Sequence, residues 1–255
     1  MSDKRNNCII LMVEAPTPEN VDAGLKAAFG EERASHINLD LLQNAYKLAK
    51  NFSNSMLLLS FAPSQRHPDL TWLDIEDPGF LEAKRKNPEG RILDAFKLAF
   101  NTGAKKALLL SHLSPKVPAE WLSQTFDSIN EKTIALGLND DKSVYIAGLT
   151  LNNLKLLEGL SFSSPKISED LAEKAKKNKL SVFALPESFA VKSEETLRKW
   201  LDAREAAPSP FLKLPDAAPA PAAQTASRQE EKKHSRRGHK NPLQQPALPD
   251  PEQKL

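Results

Sequence analysis

Short apolar runs alternate with amphipathic stretches along the first two hundred residues. Cys8-Ile9-Ile10-Leu11-Met12-Val13 is apolar throughout and of strand length, the pattern of a strand buried on both faces. Met56-Leu57-Leu58-Leu59-Ser60-Phe61 repeats it and stops at Ala62-Pro63. Residues 107–110, 133–138, 143–148 and 180–185 have the same character, and the turn Asn139-Asp140-Asp141-Lys142 joins the middle two. Between these runs the period changes. Residues 38–50 place Leu41, Leu42, Ala45, Leu48 and Ala49 on one helical face, and residues 89–101 place Ile92, Phe96 and Phe100 at i, i+4 and i+8. Gly103 is the stop for that helix. Pro118 opens a helix running to residue 129. Ser164 as N-cap and Pro165 in the first turn predict another, to about residue 177. Ser193 with Glu194 and Glu195 starts a last one, to about residue 203.

Buried strands separated by helices of 10–15 residues predict an α/β protein. The expected form is a three-layer sandwich whose central sheet is mostly parallel and covered on both faces. Such sheets bind ligands beyond the carboxyl ends of their strands. The loops after Val13, Leu110 and Leu138 are therefore where chemistry is expected.

From Ala206 the periodicity ends. Ala-Ala-Pro-Ser-Pro and Ala-Ala-Pro-Ala-Pro-Ala-Ala are extended spacers with little to pack. The expected organisation is a folded domain over 1–205 and a disordered Pro/Ala-rich, basic tail over 206–255. This division changes the meaning of the composition. The whole chain of 255 residues carries 35 Lys plus Arg against 33 Asp plus Glu, a net of +2. The tail holds 8 basic and 5 acidic residues, and the body 27 and 28, so the excess of positive charge belongs to the tail. A neutral body excludes nucleic-acid binding driven by charge along the whole chain. Within the tail, Arg228, Lys232, Lys233, Arg236, Arg237 and Lys240 form a cationic run able to neutralise phosphates or anionic lipid. Glu230 and Glu231 dilute it, and a solvated tail without a specific partner has the same composition.

The one cysteine, Cys8, lies inside an apolar run and reads as a buried strand residue. No N-terminal stretch has the length of a signal-peptide core, and no run approaches a membrane span, so a cytoplasmic location is the default expectation. No G-x-G-x-x-G, Walker or H-E-x-x-H pattern occurs. His112 follows a strand at the ligand-facing end and has the intrinsic pKa of a general base, although a loop histidine there needs no function. Asp140 and Asp141 are adjacent carboxylates of the kind that hold a divalent metal beside a diphosphate, and equally ordinary turn residues.

The order of motifs from about Cys8 to Leu201 resembles a small bacterial glycosyltransferase-like family with the nucleotide-diphospho-sugar transferase (GT-A) fold. That family opens with a pattern close to V-K-A-P-x-P-G-x-x-K-T-R-L. The corresponding stretch is Val13-Glu14-Ala15-Pro16-Thr17-Pro18-Glu19-Asn20-Val21-Asp22-Ala23-Gly24-Leu25. The Ala-Pro-x-Pro frame, with Pro16, and the closing Leu25 match. The lysines of the pattern fall at Glu14 and Asp22, and its arginine at Gly24. The resemblance implies that those cations face nucleotide phosphates. At about 4 Å and a surface-like dielectric, one sign reversal changes such an interaction by several kcal/mol. The G-E-R segment appears as Glu89-Gly90-Arg91, with Arg91 kept. G-S-D-C-P appears as Ser111-His112-Leu113-Ser114-Pro115, with Leu113 at the aspartate. G-P-x-x-D-G-G-Y-Y-L-I-G-L resembles residues 137–149, where Asp141, Tyr145, Gly148 and Leu149 match and Lys142-Ser143 replace Gly-Gly. W-S-T-P appears as Phe162-Ser163-Ser164-Pro165. D-x-D-T-P-E-D-L appears as residues 190–197, with Ala190 and Lys192 at the aspartates.

Positions suited to core, caps and turns are kept, whereas positions for metal, phosphate or sugar are replaced. The expectation is therefore a glycosyltransferase-like protein that is catalytically degenerate and acts in binding or interaction. Nucleotide sugar or a protein is its partner, and an anionic partner contacts the tail from Arg228 to Lys240. The alternative is an active nucleotide-sugar-dependent transferase with an altered site, either metal-independent or using Mg²⁺ or Mn²⁺. There Arg91, Lys142 or Lys192 supplies positive charge and His112 acts as base. In that alternative Pro16, Arg91, Asp140, Asp141, Lys142 and Lys192 line the nucleotide or phosphate site. Any Mg²⁺ or Mn²⁺ falls to Asp140 and Asp141.

Overall fold

The computed structural model describes residues 3–205 apart from 16, 63–68, 77–79, 83, 86 and 163. All of these lie in the unit Met1–Ser209. Pro16, Ser163 and the tail 206–255 with its cationic run lie outside the described residues.

Among the described residues seven strands form one sheet: β1 (Asn7–Val13), β2 (Met56–Phe61), β3 (Leu81–Glu82), β4 (Lys106–Leu110), β5 (Thr133–Leu138), β6 (Val144–Thr150) and β7 (Ser181–Ala184). Their order is β3-β2-β1-β4-β6-β5-β7. All neighbours pair in parallel except β6, which runs antiparallel to β4 and β5. The α-helices among the described residues are α1 (Ala23–Phe29), α2 (Glu31–Asn51), α3 (Pro88–Asn101), α4 (Ala119–Ser128), α5 (Ile167–Lys177) and α6 (Glu194–Glu205).

Alternation along the strands divides the core. Cys8, Ile10, Ala107, Leu109, Ile134 and Leu136 face one side, where Ile92, Phe96 and Phe100 of α3 and Leu171 of α5 cover them. Ile9, Leu11, Leu59, Leu108, Leu110 and Ala135 face the other, under Leu42, Ala45 and Tyr46 of α2 and Leu122 and Phe126 of α4. This is the three-layer arrangement that the apolar runs predict. Burial pushes the Cys8 thiol up to about 12, as suits a strand residue inside the core. A third cluster joins α1, the first half of α2 and α6 through Leu25, Ile37, Leu41, Val191, Leu197 and Trp200.

The structure departs from the sequence pattern in four places. α2 begins at Glu31, seven residues before the apolar face becomes dense, because Gly30 at φ 75° turns the chain out of α1 and Glu31 and Glu32 suit a first turn. α1 itself is set by Asp22, whose Oδ1 accepts from the backbone N–H groups of Gly24 at 2.8 Å and Leu25 at 3.2 Å. Ser164 does not cap α5. Its Oγ accepts from Lys166 N at 3.1 Å and shapes the turn before the helix. Finally, β7 is an exposed edge rather than a buried strand, with Val182 and Phe183 about a third exposed at 37% and 36%.

Candidate ligand cleft

The carboxyl ends of β4 and β5 open into a cleft of about 430 Å³, within the size range of small-molecule sites. Five segments build it. The loop after β1 supplies Asp22, the loop after β4 supplies Ser111 and Leu113, and the β5–β6 turn supplies Asp141, Ser143 and Val144. Phe162, Ser164 and Pro165 come from the segment before α5, and Lys192 from the segment before α6.

The turn is fixed from beneath. Buried Asn139 accepts from Ser114 Oγ at 3.0 Å and donates through Nδ2 to Ser143 Oγ at 2.9 Å. Ser143 in turn donates through its hydroxyl, and through its backbone N–H at 2.9 Å, to Asp141 Oδ1. Lys192 is placed by a different set of bonds. Val191 N donates to the Leu113 carbonyl at 2.8 Å, and Lys192 N donates to Thr196 Oγ1 at 3.1 Å. Ser193 Oγ accepts from Thr196 N at 3.2 Å and caps α6. The Lys192 stem then passes over Gly24, where an added Cβ would lie 3.7 Å from Lys192 Cβ and Cδ. Its ammonium ends 2.7 Å from Asp141 Oδ2. So the segment before α6 carries a cation across the position that is an arginine in the resemblance and a glycine in this chain. Burial alone would raise the Asp141 carboxyl. The hydrogen bonds from Lys192 and Ser143, with the Lys192 charge, bring it below its usual value.

The remaining sequence candidates lie elsewhere. Arg91 is buried behind Glu14, whose carboxylate it contacts through Nη1. Its Nε and Nη2 have no hydrogen-bond partner among the described residues. Asp140 turns away from Asp141 and lines a separate groove with Lys116, Trp121, Glu187 and Lys199. Lys142 adopts φ 65°, the left-handed conformation that a glycine takes without strain, and reaches Glu187 at 3.4 Å. His112 does not line the cleft. Its Nε2 meets Asn38 Oδ1 of α2 at 2.9 Å. Burial pulls its pKa down to about 4 against an upward pull from Asp22, so it is neutral at pH 7. Leu113 packs against the cluster of α1 and α6 and, with Val144, Phe162 and Pro165, gives the cleft its apolar lining.

A divalent ion does not fit this donor set. Asp141 is engaged on both oxygens, Asp140 faces another groove, and Asp22 gives one oxygen to its helix cap. Among the described residues no three His, Cys, Asp or Glu side chains are grouped to hold a metal. Asn139, Ser114 and Thr196 carry no signal in the sequence, because short polar residues near turns are common.

The sheet order, the antiparallel β6 and a cleft at the strand ends define a mixed α/β fold of the nucleotide-diphospho-sugar transferase, or GT-A-like, type. The chain superposes on a candidate nucleotide-diphospho-sugar transferase from Desulfovibrio desulfuricans G20 with a TM-score of 0.70 and 19% identity, covering 82% of this chain and 90% of that one. It also resembles 4-diphosphocytidyl-2C-methyl-D-erythritol synthase from Anaerococcus prevotii (TM-score 0.52, 9% identity, 78% and 98% covered). A nucleotidyl transferase from Methanothermobacter is similar at TM-score 0.53 and 9% identity, with 77% and 96% covered. No protein-family model matches the chain, and no curated protein matches it in sequence. Among the described residues no helix is long and apolar enough to cross a membrane.

Proposed function

We propose that this domain binds a ligand in its strand-end cleft and does not carry out metal-dependent transfer from a nucleotide sugar. It is a catalytically degenerate relative of glycosyltransferase-like proteins, and it acts in binding or interaction. The observation that carries this reading is the bond from Lys192 to Asp141, 2.7 Å long. An enzyme of this type relies on a divalent ion to neutralise the departing diphosphate. Here the best-placed carboxylate holds an ammonium group instead. Arg91, the cation that the resemblance does retain, is matched by Glu14. Of the charged groups in the cleft, two are acidic and one is basic, an unfavourable setting for a diphosphate. The reading includes a cytoplasmic location and a tail contact with an anionic partner. Ending the chain at Arg204 should remove any salt-sensitive affinity for RNA or anionic vesicles.

The test is incubation with a panel of nucleotide sugars and Mn²⁺, with free nucleotide quantified by chromatography. Release equal to the blank is expected. Release that disappears in Asp141→Asn would overturn the reading.

One observation favours the second reading, a transferase working without metal. The cleft is open, and the Lys192 ammonium faces it. A fixed cation can stabilise developing phosphate charge. Nucleotide-sugar binding that persists in EDTA and is lost in Lys192→Ala would favour that case, and nucleotide release in EDTA with the same dependence would establish it.

A further inference from the structure

The charges and free hydrogen-bonding groups of the cleft also indicate what it holds, given the binding role proposed above. Asp22 directs Oδ1 to the first N–H groups of α1, so the donors that a phosphate would seek there are already occupied. Lys192 is balanced by Asp141. The second oxygen of Asp22 accepts no hydrogen bond among the described residues, and it belongs to a residue lining the cleft. Ser111 Oγ accepts from Leu113 N at 3.3 Å and Ser164 Oγ accepts from Lys166 N at 3.1 Å. Both use lone pairs, so both hydroxyl protons remain available to a ligand. Phe162, partly buried, adds an apolar ring. One unshared carboxylate oxygen, two hydroxyl donors and a ring match a small hydroxylated molecule with one positive charge.

We infer that the cleft accepts a hydroxylated primary amine, with a free hexosamine as its type. The ammonium group donates to Asp22, and the sugar hydroxyls accept from Ser111 and Ser164. Charge sets the selectivity. N-acetylation removes the cation, and phosphorylation adds an anion that meets Asp22 and Asp141 without a free positive partner.

Calorimetric titration of the full chain at pH 6.5 with glucosamine, N-acetylglucosamine and glucosamine 6-phosphate tests this. Glucosamine is expected to bind about tenfold more tightly than the other two, the scale of one charge-assisted hydrogen bond. Asp22→Asn keeps the helix cap, since asparagine caps as well as aspartate, and should abolish the preference without changing the melting temperature. Amide shifts of Gly24 and Leu25 in the unmutated protein, followed by NMR during the titration, give a second readout independent of the variant. Absence of saturable glucosamine binding, equal binding of the acetylated or phosphorylated sugar, or a preference that survives Asp22→Asn would each overturn the inference. Failure here leaves the proposed function intact. That reading falls to metal-dependent binding of a nucleotide sugar, or to its turnover with or without metal.

Discussion

Lys192 Nζ lies 2.7 Å from Asp141 Oδ2 and joins the segment before α6 to the β5–β6 turn in the lining of the cleft. The pair is partly exposed, at 33% and 38%, so its contribution to stability at pH 7 is about 1 kcal/mol or less. Its signature is a pH dependence. A carboxyl held below its usual value of 3.8 stabilises the fold above that pH and loses the contribution as pH falls through the folded value. The advantage of the unmutated protein over Lys192→Met should therefore be present at pH 7 and shrink below pH 3.8. Urea unfolding of both proteins across that range measures it.

Arg91 and Glu14 should behave as a coupled unit. The guanidinium is 4% exposed and Glu14 35%, so removing the carboxylate leaves a buried charge without its partner. Glu14→Gln is expected to destabilise by about 1–3 kcal/mol, since breaking a buried pair costs more than replacing it. Arg91→Met in the Glu14→Gln background should recover part of that loss. A double-mutant cycle in chemical denaturation gives the coupling, and simple additivity would show that the contact contributes nothing.

His112 should make the protein sensitive to mild acid. Its folded pKa of about 4 lies below the ordinary value of 6.5, so the unfolded chain binds the proton more readily. Stability is then complete above pH 6.5 and declines as pH falls toward 4. His112→Gln should lose less stability than the unmutated protein between pH 7 and pH 5. The difference is about 2 kcal/mol, since each tenfold gap in proton affinity between folded and unfolded chains is worth about 1.4 kcal/mol. Urea unfolding of both proteins at the two pH values checks it.

Gly137 is required by Tyr145. A Cβ at residue 137 would lie 2.4 Å from Tyr145 Cζ, and the ring is held by its hydroxyl, which donates to the Pro186 carbonyl at 2.7 Å. Gly137→Ala should cost about 1–3 kcal/mol through overpacking. A lowered melting temperature should be accompanied by a changed Trp121 signal, because the Trp121 and Tyr145 rings are 5.7 Å apart.

Much of the fold can be read from the sequence, because strands buried on both faces leave continuous apolar runs. Residues 8–13 and 56–61 lie within or match β1 and β2 for that reason. α1 was not legible, since its seven residues have one buried side chain, Leu25, and its start depends on a cap. The exposure of β7 was hidden for a related reason: an apolar run does not say whether a further layer covers it. The candidate site was legible only as residue types. Asp141 and Lys192 are fifty-one positions apart, and nothing in the spacing places one against the other. The separation of Asp140 from Asp141 into two grooves follows from the bonds within the turn, which adjacency in sequence conceals.

The most direct test of the central claim is the thermal unfolding midpoint recorded with saturating nucleotide sugar, once with Mg²⁺ or Mn²⁺ and once with EDTA. Ligand that binds only the folded state raises the midpoint by mass action. If Lys192 holds Asp141 in place of a metal, the midpoint with nucleotide sugar and metal should equal that with metal alone. A saturable rise of several degrees that requires the metal would contradict the account.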